Sequence, residues 1–219
     1  MSRPNAPSYK TLNWPEYNKA LKGRGSLKIW FDPDMIWAAT PTGKRGRQPV
    51  YSDAAVQTCL TMKVLFGMAL RQTTGFVESL LRLISLDWDV PDFSTLSRRQ
   101  KTLAVNIPHR GSQGPLHLLI DSTGIKVEGE GEWNARKHGG AKRRVWRKVH
   151  LGIDEETLEI RAVDYHRRSR VEKKMHCVKL LGQRLMARDF DRQVAEFQVR
   201  VAILNGFTAL GIPVTKVVG

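Results

Sequence analysis

Apolar residues first recur at helical spacing from residue 52 onward. Ser52 stands as an N-cap before DAAVQTCLTMKVLFGMAL, where Ala55, Cys59, Met62, Leu65, Phe66 and Ala69 make one face. TTGFVESLLRLISL repeats the pattern through Phe76, Leu80, Leu83 and Ile84. After the proline-bearing turn DVPDF, a shorter segment starts at Ser94, STLSRRQKTL, and gathers Arg98, Arg99 and Lys101. Two packed helices followed by a short basic one fit a helix-turn-helix-like unit whose last helix enters the major groove. A three-helix bundle with a basic surface has the same pattern. Residues 46–108 thus read as a helical DNA-binding domain, and 1–45 as an irregular arm with scattered aromatics. The basic, turn-rich stretch GKRGRQP at 43–49 fits a phosphate-contacting arm or a solvated loop.

Beyond the turn residues HRGSQGP the periodicity changes. LHLLIDSTGIKV (116–127) is an apolar, β-rich run, and WRKVHLGID (146–154) and TLEIRAVDY (157–165) are two shorter strands joined at Glu155-Glu156. Together they predict a three-stranded antiparallel meander. From about Arg168 the pattern is helical again, with Gly206 as a stop. The expected class is α+β.

The chain has 219 residues and 36 Lys+Arg against 21 Asp+Glu, a formal charge of 36 − 21 = +15. Such a balance points to a polyanionic partner, nucleic acid above all. No apolar run approaches the ~18 residues a spanning helix needs, and the first residues have no apolar core of a secretory signal. The expectation is a cytoplasmic protein without a membrane partner. Cys59 and Cys177 have no CxxC neighbour, which removes a zinc ribbon or disulfide scaffold. Between 134 and 150, Arg136, Lys137, Lys142, Arg143, Arg144, Arg147 and Lys148 stand without an acid, and they read as a hairpin arm on DNA, with a solvated face as the alternative.

Two acids stand out. Asp121 interrupts the first apolar strand, either as a functional carboxylate or as a cap on the following Ser-Thr-Gly turn. Glu172 lies with Tyr165, Arg168 and Lys179 at offsets that, at roughly 100° per residue, put all four on one narrow helical stripe. Cations beside a carboxylate keep it ionised and can hold a phosphate, while ordinary i,i+4 pairing of Arg168 with Glu172 gives the same spacing.

Tyr165, Arg168, Glu172 and Lys179, at spacing Y-(2)-R-(3)-E-(6)-K, resemble the signature of DDE transposases in the insertion-sequence group of families four and five. LLIDSTGIKVEGEGEWNARKHG resembles the strand carrying the first catalytic Asp in family five, and RQVAEFQVRVAILNGFTALGIP and 46–105 are similar as well. The resemblance implies an RNase-H-like fold over 116–219, with two Asp and one Glu around two Mg²⁺ ions and phosphodiester cleavage and transfer. It makes Asp121 and Glu172 catalytic metal ligands. It puts Arg168 and Lys179 on the terminal DNA backbone, with Tyr165 in support. The implied partner is double-stranded DNA, at the terminal inverted repeats of an insertion sequence near the bacterial nucleoid. A homodimer, or a heterodimer with full-length transposase, is compatible with it.

One feature departs from the family. Its second Asp lies on a fourth strand, with an insertion before the Glu, yet here Asp121 and Glu172 are 172 − 121 = 51 residues apart. The expected cause is an internal deletion near 163–165, and Asp154, Glu155, Glu156 and Asp164 are poor substitutes. The catalytic domain is therefore read as truncated. The chain is either an impaired transposase or a remnant that binds DNA without cutting and interferes with the intact enzyme.

Overall fold

The computed structural model describes residues 8–31, 34–41, 43, 45–111, 114–127, 146–166, 180–182 and 184–218. In chain order the elements are β1 (Ser8–Thr11), α1 (Trp14–Gly23), a 3-10 turn (Leu27–Ile29), α2 (Asp53–Phe66), α3 (Leu70–Leu83) and α4 (Phe93–Arg99). There follow β2 (Leu118–Val127), β3 (Trp146–Asp154), β4 (Ile160–His166), β5 (Arg184–Leu185), α5 (Phe190–Leu210) and β6 (Thr215–Val218). The class is α+β, with five α-helices among the described residues.

The helix boundaries follow from caps. Ser52 Oγ accepts from the Ala55 amide at 3.0 Å, and Gly67 ends α2 in the left-handed region (φ 61°) that a side chain disfavours. Asp92, two residues ahead of the expected Ser94, caps α4 by accepting from the Thr95 amide at 2.7 Å. That bond and one from Ser94 hold its carboxyl below the usual range. Asp189 caps α5 through the Arg192 amide. Between α2 and α3 the chain turns by 108°. No single helix among the described residues is long and apolar enough to cross a membrane.

The predicted meander forms in the order β4-β3-β2, both pairs antiparallel. A fourth strand extends it: β5 pairs parallel to β2 through Lys126↔Arg184 and Val127↔Leu185. The helix read from Arg168 onward is thus interrupted by a strand at 184–185. Gly206, read as a helix stop, lies inside α5, which runs on to Leu210. A mid-helix glycine costs only about 1 kcal/mol, less than the packing of Ile203 and Phe207 around it. Nor is the N-terminal arm irregular: β1 pairs antiparallel with β6 from the far end of the chain.

Two apolar clusters share α5. One joins α2, α3 and α4 with Phe31, Trp37, Leu103 and two residues of α5, Val199 and Ile203. The other lies between α5 and the sheet, where Phe197 and Val201 meet Ile125, Val127, Val149, Leu151, Ile160 and Leu185. A helix buried on several sides needs no single apolar stripe, which is why α5 lacks one. Just past it Gly211 sits at φ 150°, where an added Cβ would come 2.9 Å from the Ala20 Cβ. Gly211→Ala is expected to cost about 1–3 kcal/mol by overpacking, measured by urea unfolding. A variant as stable as the parent would show that α1 can retreat.

Candidate functional site

The sheet positions Asp121, and strand alternation decides what it faces. Its partner on β3 is Leu151, whose partner on β4 is Val163, so these three side chains share the face covered by α5. Ser122 pairs with His150 and His150 with Asp164, so that row lies on the opposite face. Asp121 is exposed, and its Oδ1 accepts from the Ser122 amide at 2.7 Å. This corrects the buried strand expected around it: Leu118, Leu119 and Ile120 are exposed, Ile120 at 76%. The reason is where α5 packs, over Ile125 and Val127 at the other end of β2. β5 borders only the last two residues of β2, so no described strand lies on that edge at 118–125.

The acids weighed as a second ligand do not join Asp121. Asp164 is on the other face and two strands away. Asp154 is opposite Leu118 and is tied to Arg161 Nη2 at 3.1 Å and to the amides of Glu156 and Thr157. Burial raises its pKa, but the Arg161 and amide bonds outweigh that and hold the carboxyl below its usual range. Glu155 and Glu156 sit in the hairpin turn. Glu159 is buried against Arg110, which also caps α5 by donating to the carbonyls of Thr208 and Ala209. Glu172, Arg168, Lys179, Arg143 and Arg144 lie outside the described residues. Among the described residues no group of three His, Cys, Asp or Glu could hold a metal ion.

Two cations expected on DNA, Arg147 and Arg99, are used inside the protein. Arg147, 6% exposed, donates from Nε to Gln193 Oε1 at 3.1 Å and lies over the Phe190 ring. The arm reading is corrected there: with a period of two, Arg147 shares the α5 face with Val149, while Lys148 points away. Tyr165 is likewise a packing residue, its ring 5.4 Å from Phe190 and 6.0 Å from Phe197 with its hydroxyl buried. Arg99 donates to the Tyr51 carbonyl at 3.0 Å and pairs with Asp53, locking α4 onto the start of α2. Arg98 and Lys101 are exposed, and Arg98 donates to Thr95 Oγ1 at 3.2 Å on its own helix. Cys59 is buried, and burial pushes its thiol up to about 12, so it acts as an inert packing residue.

A buried ionic group escaped the sequence reading. Glu196 pairs with Arg200 at 3.2 Å and Lys63 at 3.6 Å, and accepts from the amides of Met186 and Ala187. Arg200 donates to the carbonyls of Gly182 and Arg184. Burial pulls the Arg200 guanidinium below its ordinary range, and Glu196 opposes the shift. The group clamps Gly182, Arg184, Met186 and Ala187, hence β5, onto α5. Its visible signal was a Glu and an Arg four residues apart inside the apolar run VAEFQVRVAIL.

A four-stranded mixed sheet with α5 on one face is compatible with part of an RNase-H-like domain. Two family models match the chain, both described as a transposase DDE domain, one over residues 22–130 and one over 112–166. Together they run from 22 to 166 and support a DDE transposase, with the transposase-like function and DNA partners, such as terminal repeats, that this family implies. No solved structure gives a significant match to the chain. DDE domains usually use divalent metal, but the described residues do not fit a paired-metal site, since no second carboxylate shares the face of Asp121.

Proposed function

We propose that the chain is a transposase-like protein of the insertion-sequence family four/five group that binds transposon-end DNA. The match of transposase DDE domain models to residues 22–166 carries this reading. The turn of 108° between α2 and α3 supports a helix-turn-helix-like reading of 46–108, with Arg98 and Lys101 as the exposed cations that reach DNA. Arg168, Lys179, Arg143 and Arg144 are the further backbone contacts of this reading, and Asp121 and Glu172 its two acids. Intact relatives would use such acids with Mg²⁺ for strand cleavage and transfer.

A specific observation favours a second reading, a remnant that binds without cutting and interferes with the full-length enzyme at the nucleoid. The family resemblance puts a second Asp on a fourth strand, and the fourth strand described here, β5 beside β2, is two residues long and without an acid. One experiment tests both. The purified chain is titrated against duplexes carrying terminal repeats of family-five elements and against scrambled duplexes, then incubated with Mg²⁺. Preferential binding without nicking is expected. Replacing Arg98 and Lys101 by Gln should reduce the preference about ten-fold, within the range of one lost base contact. Equal binding to scrambled duplex removes the reading, and Asp121-dependent nicking removes the remnant.

A further inference from the structure

We propose that the ribbon of β1 and β6 is a second DNA surface, holding the phosphate backbone of a duplex through Lys10 and Lys216. The inference rests on DNA being the partner, as proposed above. The register puts Lys10 directly opposite Lys216. Directly opposed side chains in antiparallel strands are about 4.5–5.5 Å apart at Cβ, and like charges there are destabilising. The ribbon cannot relieve that repulsion by fraying at its base. Asn13 pins it there, donating to the Ile212 carbonyl at 3.0 Å and accepting from the Val214 amide at 2.7 Å.

Among the described residues no carboxylate forms an ion pair with either lysine. Residues 8–15 and 206–219 contain no Asp or Glu, and α1 with its C-cap adds Lys19, Lys22 and Arg24 against Glu16 alone. None of these five cations forms an ion pair with a described carboxylate, whereas Lys63, Arg82, Arg99, Arg110, Arg161, Arg192 and Arg200 all do. Both lysines are exposed, and so are Leu12 and Val214, which follow and precede them on the same face. A two-stranded ribbon without a third strand is marginal in water. Its width matches the major groove, which admits a two-stranded β-ribbon. A polyanion set against the paired lysines turns their repulsion into attraction.

The test measures binding of the full chain to a 30-base-pair duplex of arbitrary sequence against salt concentration, by fluorescence anisotropy. Lys10→Gln with Lys216→Gln should lower the log–log salt slope by about 2, since each phosphate contact contributes about 0.9. The same variant should unfold at an equal or higher temperature, because the repulsion is gone. Lys10→Arg with Lys216→Arg should keep the parent's slope. An unchanged slope in the Gln variant, with the parent binding DNA normally, overturns the ribbon proposal alone. A parent that does not bind duplex at all overturns the DNA reading and the ribbon with it. A lowered unfolding temperature, or loss of binding to phosphatidylserine vesicles but not to duplex, also overturns it.

Discussion

Replacing Glu196 by alanine is expected to destabilise the protein by about 3–5 kcal/mol, the usual cost of breaking a buried ion pair by removing one partner. The carboxylate is 2% exposed and faces two buried cations, Arg200 and Lys63, while it accepts two backbone amides. Its removal strands both charges and both amides in a low-dielectric interior. Urea denaturation gives the magnitude, and hydrogen exchange at Met186 and Ala187 gives the place. A triple variant that replaces Lys63, Glu196 and Arg200 by Met, Leu and Met should recover at least half of the loss. It removes the charges, although the amides of Met186 and Ala187 still lose their acceptor and the carbonyls of Gly182 and Arg184 their donor. A cost below about 1 kcal/mol for Glu196→Ala would show that water reaches the group and that it does not anchor β5.

Phe197→Ala should cost about as much, roughly 3–5 kcal/mol, for a different reason: a void left in a close-packed region. Phe197 is 1% exposed and packs with Val201, Leu151 and Leu185 between α5 and the sheet, and against Tyr165. Because α5 also supplies Val199 and Ile203 to the helical cluster, the loss should spread there. Hydrogen exchange is expected to rise in both 52–105 and the described part of 116–166, and thermal unfolding to stay a single transition. Two separated transitions would show that the sheet and the helical unit fold independently.

That coupling bears on how the second half of the chain is held together. A strand edge without a paired neighbour is expected to be a weak point of a sheet. In the structure the unpaired stretch is local. The edge at 118–125 has no described strand, and Leu119 and Ile120 are exposed, while Ile125, Val127 and the rest of that cluster are held by α5.

Much of the secondary structure and the likeness to transposases were legible in the residues alone. Ser52 and the spacing of Ala55, Cys59 and Met62 determine α2, since capping and a 3.6-residue period act within a few turns of one helix. The limits of β3 were likewise readable from its alternation and the acidic turn after it. The Tyr165-to-Lys179 motif pointed to transposases, as the domain matches support. What only the tertiary structure decided are contacts between residues far apart in sequence. β1 with β6, β5 with β2, Arg99 with Asp53 and Lys63 with Glu196 leave no local periodicity to detect. The same holds for charge. Arg147 and Lys148 are equivalent basic residues in the sequence, yet one alternation of the strand sends Arg147 into the interior and leaves Lys148 outside, because the face that packs on α5 is chosen by the whole sheet.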